Sequence, residues 1–291
     1  MRLVTFEGNA GPRPGALVDG EIADLSGAAQ SMLALIAKHP DGSGLSRLVD
    51  GAPRIAVRTA KLAAPIPVPA RNIFCVGKNY AAHAREFQRS GFDATSSGQD
   101  IPKAPVVFTK APTTVIGPEA PIPAHLDPTH SVDYEGELGV VIGRGGRGIA
   151  KSDAMAHVFG YTIINDVTAR TLQQEHKQWF LGKSIDGFCP MGPALVTADQ
   201  MSDPTRLKLQ TKVNGELRQD ASVADLIFDI PTLIDTISRG ITLQPGDIIA
   251  TGTPEGVGIG FKPPRYLQPG DVVAITIEPI GTLTNSVAQT L

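Results

Sequence analysis

Between positions 133 and 142 the chain reads Asp-Tyr-Glu-Gly-Glu-Leu-Gly-Val-Val-Ile, with acids at every second position before a plain apolar stretch. Side chains alternate faces along a strand, so Asp133, Glu135 and Glu137 are expected to project together. Carboxylates placed side by side repel unless something positive neutralises them, and hard divalent cations prefer oxygen donors. Two or three on one strand face suggest a Mg²⁺ or Mn²⁺ site. A solvated acidic edge strand would carry the same pattern, but a second acid signal favours metal. Tyr161 to Asp166 is an apolar, β-branched strand that ends in Asn165-Asp166 and hands over to a helical stretch. A carboxylate at the C-terminal end of a strand is well placed to complete a site. The plainer use of Asp166 is to cap a helix from Val167 to His176.

Three more segments carry chemistry-bearing types. His83 and Glu86 lie three apart in Asn79 to Phe87, on one face if the segment is helical. A carboxylate beside an imidazole fixes its tautomer and raises its basicity, as general-base catalysis on water requires. Lys183 stands alone among glycines, prolines and apolar residues between Phe180 and Pro193, where an ammonium can steady a developing oxyanion or enolate. Ala250 to Gly258 ends a strand in a Gly/Pro turn whose hydroxyls and amides could hold a carboxylate. Against each stands an ordinary alternative: a surface His/Glu pair, a solvated lysine, a tight turn.

The run GRGGRG at 143 to 148 matches GxGxxG, with Asp166 at about the expected distance downstream, and would imply an NAD-dependent dehydrogenase. The strand before it carries alternating acids rather than a continuous apolar run, and no βαβ series surrounds it, so it is read as a flexible turn.

These residues must be positioned by a β-rich chain. Candidate strands are Arg2 to Phe6, Asn72 to Val76, Val106 to Lys110, Val132 to Ile142, Phe159 to Asn165, Leu207 to Val213, Asp247 to Ala250 and Val272 to Ile277. Asp19-Gly20 and Asn214-Gly215 mark hairpins. Short helices are expected over Ser31 to Lys38 and Leu45 to Val49, and Ala63 to Ala70 reads as an extended linker. The expected architecture is α+β, a mixed β-sheet roll over residues 65 to 291 with a small α/β domain over residues 1 to 64. Phe87 to Asp100 is polar and glycine-bearing, and reads as a mobile lid.

A net charge of −3 leaves no basic footprint for nucleic acid or a membrane surface. No apolar run reaches a spanning length of about 18 residues and the opening residues lack a signal-peptide core, so a soluble cytoplasmic protein is expected. Cys75 and Cys189 form no metal-binding spacing and read as buried reduced thiols, with a nucleophilic role for Cys189 the alternative.

Taken in order, VGKNYAAHAREF, DYEGELGVVIG, IINDVTAR, GKSIDGFCPMGP and TGTPEGVG resemble the fumarylacetoacetate hydrolase family across about residues 71 to 280, and its shorter bacterial members in particular. The resemblance implies Mg²⁺ or Mn²⁺ held by Glu135, Glu137 and Asp166, a water-activating pair His83 and Glu86, and Lys183 as electrostatic stabiliser. It further implies that Gln173 and Thr253 face substrate, that Asp133 is a neighbour rather than a ligand, and that the protein is a homodimer. Fumarylacetoacetases proper carry another acidic ligand beside the tyrosine of the first motif, where Tyr80 is here followed by Ala81-Ala82, which argues against fumarylacetoacetate itself as substrate. The expected reaction is metal-dependent hydrolysis of a carbon–carbon bond in a 2,4-diketo acid of the acylpyruvate type, releasing pyruvate and a carboxylic acid. Decarboxylation of an oxaloacetate-like acid and isomerisation or tautomerisation of a hydroxymuconate-type compound would use the same enolate.

Overall fold

The computed structural model describes residues 1–8, 11–91 and 101–289. Two strands at its centre, Gly136–Ile142 and Val158–Asn165, are buried along their whole lengths, the pattern of strands covered on both faces. They pair antiparallel, with Gly136 opposite Asn165 and Glu137 opposite Ile164. Cys189–Thr197 lies beyond Val158–Asn165, and Ile248–Ala250 lies on the other side of Gly136–Ile142. From there Ile73–Gly77 joins in parallel and Val106–Lys110 closes the edge. A second sheet, in the order Glu216–Ser222, Lys208–Val213, Val272–Ile277, Gly281–Ser286, is wholly antiparallel. Mixed sheets with few helices are the β-rich α+β class expected.

The large sheet continues through Cys189–Thr197 into the N-terminal strands. Arg2–Gly8 pairs with it, Leu3 opposite Leu195, and is followed outward by Gly11–Val18, Glu21–Asp24 and Arg54–Ala56. Sheet and core run across residue 64: the helices Met32–Lys38 and Leu45–Asp50 pack with Ile73, Val141, Ile164 and Met191. The main core lies between the two sheets, where Leu138, Val140 and Ile163 meet Leu209, Ile275 and Leu283.

One expectation is corrected and two alternatives fall away. The strand foreseen over Val132 to Ile142 is two pieces. Val132–Asp133 pairs with Thr168–Ala169 in a separate ribbon, and the large sheet resumes only at Gly136. Gly136 is why the chain breaks there: its amide donates to Gln219 Oε1 at 3.0 Å, and an added Cβ would collide with Thr211 of the second sheet. The acids therefore do not share one face. Asp133 turns toward Arg170, away from Glu135 and Glu137. Asp166 caps no helix, because the segment after it stays extended and Arg170–Glu175 begins only after Ala169. The glycine run 143–148 follows a strand that is antiparallel to both neighbours, and Gly146 bridges Leu243 instead of opening a helix, so no dinucleotide cradle forms.

Of the expected lid, Phe87 to Ser90 end the helix Ala81–Ser90, Gly91 follows as its cap, and residues 92–100 lie outside the described residues. Among the described residues no helix is long and apolar enough to cross a membrane.

Candidate active site

Pairing of the two central strands brings the acids together. Asn165 ends one strand opposite Gly136, its Oδ1 accepts from the Glu135 amide at 3.0 Å, and the Asp166 amide donates to the Glu135 carbonyl at 2.8 Å. These backbone clamps set Asp166 beside the start of the neighbouring strand. Glu135, Glu137 and Asp166 consequently offer carboxylate oxygens that all lie within 4.8 Å of one another, and all three residues are buried.

Three buried cations surround them. Lys183 Nζ donates to Glu135 Oε2 and Asp166 Oδ2, both at 2.7 Å. Lys110 Nζ stands 2.8 Å from Asp166 Oδ1 and donates to the carbonyls of Val167 and Lys183. Arg170 Nη1 lies 2.6 Å from Glu135 Oε1. Arg170 and Lys110 are the site residues that sequence reasoning missed. Each left a trace: Arg170 precedes Gln173 by three on one helical face, and Lys110 ends the otherwise apolar-leaning strand Val106–Lys110.

The carboxylates divide into two kinds. Burial pushes Glu135 up, but Lys183 and Arg170 outweigh it and hold the group well below the usual carboxylate range. Glu137 is driven well above that range, first by burial and then by the charges of Asp166 and Glu135, and it accepts from the Gly252 amide at 2.7 Å. Asp166 Oδ1 faces Lys110 without an aligned hydrogen bond. An all-oxygen donor set with one carboxylate under electrostatic stress and one oxygen short of a donor fits a hard divalent cation.

His83 and Glu86 lie on one face of Ala81–Ser90, as their spacing requires. His83 Nδ1 is 3.1 Å from Glu86 Oε2, and Glu86 Oε1 accepts from the Gly256 amide at 2.9 Å. His83 is buried, and with Glu135, Glu137, Lys183, Gln173 and Thr253 it lines one cavity of about 20 Å³. That is space for about one or two waters. Gln173 Oε1 accepts from Arg170 Nη1 at 3.2 Å, and Thr253 Oγ1 accepts from Gln219 Nε2 at 2.8 Å. Trp179 closes the wall, packed edge-on against Phe87 and Phe108. The structure thus brings together every residue expected at the site and turns Asp133 away. Cys75 and Cys189 are free and buried; burial raises both thiols, Cys189 to about 12, so neither is a ready thiolate.

The family model described as fumarylacetoacetate (FAA) hydrolase, C-terminal, matches residues 72–288. The chain belongs to the fumarylacetoacetate hydrolase family. Among relatives in this family, the oxaloacetate tautomerase YisK of Bacillus subtilis (strain 168) is 57% identical over 227 residues, covering 78% of this chain and 73% of that protein. A fumarylacetoacetate hydrolase structure from the psychrophile Exiguobacterium antarcticum superposes with a TM-score of 0.86 at 46% identity, over 100% of both chains. The maleylpyruvate hydrolase of Sphingobium sp. SYK-6, solved with manganese(II) and pyruvate, superposes with a TM-score of 0.80 at 34% identity, again over 100% of both. Family members therefore span tautomerase and hydrolase activities, and family membership alone does not decide between them.

Proposed function

We propose that the protein is a metal-dependent enzyme that interconverts the keto and enol forms of a short 2-oxo dicarboxylate of the oxaloacetate type. What carries the proposal is the shared cavity: His83, Glu135, Glu137 and Lys183 line one space, with Asp166 beside the two glutamates and Glu86 on the histidine. The relative named as an oxaloacetate tautomerase, 57% identical, supports the same choice.

Glu135, Glu137 and Asp166 would hold Mg²⁺ or Mn²⁺, which when bound draws electron density from the oxygens of a 2-oxo acid. Glu86 accepts from the Nδ1–H of His83, which leaves a lone pair on Nε2. That nitrogen takes a proton from the carbon beside the keto group, and its return to the oxygen completes the enol. Lys183 and Arg170 set positive charge beside the oxygens that become negative in between. Gln173 and Thr253 orient the acid from the cavity wall. A homodimer belongs to the same proposal; light scattering tests it.

A second reading, cleavage of an acylpyruvate, is favoured by the tethering of Glu86 Oε1 to the Gly256 amide, which fixes the pair well enough to activate a water. The manganese- and pyruvate-bound maleylpyruvate hydrolase supports it. The two readings separate in one experiment. Protein with Mg²⁺, Mn²⁺ or chelator is given enol-oxaloacetate, several acylpyruvates and a hydroxymuconate-type acid, with ultraviolet absorbance and pyruvate release followed together. Metal-dependent loss of enol absorbance without pyruvate, reduced about 100-fold or more by His83→Ala, is the expected result. Acylpyruvate cleavage with no effect on the enol would install the second reading, and pyruvate from oxaloacetate would mark a decarboxylase.

A further inference from the structure

Asp133 is completely buried, and the proposed chemistry gives it no task. It nevertheless joins the two halves of the site. On one side its Oδ2 accepts from Arg170 Nε at 2.9 Å, and the same guanidinium reaches Glu135 Oε1 and Gln173 Oε1. On the other side its Oδ1 accepts from the Gly258 amide at 2.7 Å and its Oδ2 from the Ile259 amide at 3.1 Å. Those amides open the turn Gly258–Gly260, and this turn is the seat of Glu86: a Cβ on Gly260 would collide with the Glu86 carboxylate, and Gly256 just upstream donates to it.

We propose that Asp133 is a positioning residue that fixes the spacing between the carboxylate side of the site, through Arg170, and the proton-transfer pair, through the Gly258–Gly260 turn. Only an acceptor with two oxygens can serve a guanidinium and three backbone amides at once, the third being that of Tyr134 at 2.8 Å. Asparagine has the same shape but turns an NH₂ group toward donors. A Cβ on Gly258 would lie 2.6 Å from Asp133 Oδ1, so it is the bare glycine that lets this amide approach the carboxylate. The kinetic part of this proposal rests on the reaction proposed above; the wiring does not.

The test uses the full chain carrying Asp133→Asn, with Gly260→Ala as an independent way of unseating Glu86. Hydrogen exchange needs no substrate. Segments 256–262 and 168–176 of the Asp133→Asn protein should exchange about tenfold faster or more, while Val158–Asn165 stays protected. Unchanged exchange in either segment overturns the proposal, whatever reaction the protein catalyses. In turnover, each single variant should lose about tenfold or more in kcat with KM and Mn²⁺ affinity within about threefold, and the double variant should lose little beyond either one. A purely structural Asp133 would instead lower the melting temperature with kcat intact, or give losses that multiply. Should Asp133→Asn not fold, Asp133→Ser, which leaves room for a water, is read by the same exchange criterion.

Discussion

Lys183→Met separates the two services a buried ammonium can perform here. Its Nζ makes two contacts of 2.7 Å, to Glu135 and Asp166, and the side chain is buried. At an effective dielectric of about 20, each contact is worth about 6 kcal/mol of gross attraction, from which several kcal/mol of ammonium desolvation must be subtracted. Removing one partner of such a cluster typically costs about 3–5 kcal/mol. The metal-free variant should therefore melt clearly lower than the parent, by several degrees or more. Divalent ions compete with the ammonium for Glu135 Oε2 and Asp166 Oδ2, so Mn²⁺ affinity, read by electron paramagnetic resonance, should hold or tighten, and saturating Mn²⁺ should recover more stability in the variant than in the parent. Turnover should still fall by about 10²–10³-fold, the loss of about 3–4 kcal/mol expected when a preorganised charge is taken from a developing anion. Turnover within threefold of the parent would refute the electrostatic role. A collapse of Mn²⁺ affinity alongside turnover would show that Lys183 serves only to hold the ligands.

Glu137→Gln should abolish measurable Mn²⁺ binding yet leave the metal-free protein as stable or more stable at neutral pH, as thermal melts would show. The folded-state value of Glu137 is raised above 4.5, so its ionisation weakens the metal-free fold as pH climbs past that value, and glutamine removes the charge. For the same reason Mn²⁺ affinity should rise with pH, by about tenfold per unit below the raised value, since one proton must leave Glu137 first. Glu135 acts oppositely: its lowered value lends stability above its ordinary range that is lost as pH falls through the folded-state value, so the metal-free protein should melt lower in strong acid. Gly77→Ala should displace Trp179, whose ring lies where the new Cβ would stand, at about 1–3 kcal/mol of stability. Trp179 is the sole tryptophan, so a red-shifted, broader emission checks this directly, and an unchanged spectrum would mean that the ring is not pinned there.

The acids were legible because polar residues at regular spacing inside apolar, β-branched strands stand out against their surroundings. Hairpins were legible for a local reason as well: Asp19 and Gly20 take φ of 50° and 81°, and Asn214 and Gly215 take 52° and 82°, values these residue types tolerate. What stayed hidden depends on residues far away in the chain. The turn of Asp133 away from Glu135 is set by Gly136 meeting Thr211 and Gln219 of the second sheet. The merging of the N-terminal strands with the large sheet rests on Arg2 standing opposite Val196, and no local pattern announces such a partner. Lys110 and Arg170 were passed over because a cation in sequence is normally a solvated one.

Those two cations decide what the site can hold. The buried carboxylates around it are Asp133, Glu135, Glu137 and Asp166, and the buried cations are Lys110, Arg170 and Lys183, so four negative charges against three positive leave −1 when every group is ionised. A divalent ion turns this to +1, the carboxylate beside the keto group brings it to zero, and the second carboxylate of a 2-oxo dicarboxylate adds one further negative charge. Removing a proton from the neighbouring carbon to His83 then creates a negative and a positive charge inside the same enclosure without changing the total. A neutral ketone would leave the loaded site with an unbalanced buried charge, a costly state at this depth. Balance of charge therefore accounts for the one carboxylate beside the keto group, while the second carboxylate of a dicarboxylate is not matched by these groups.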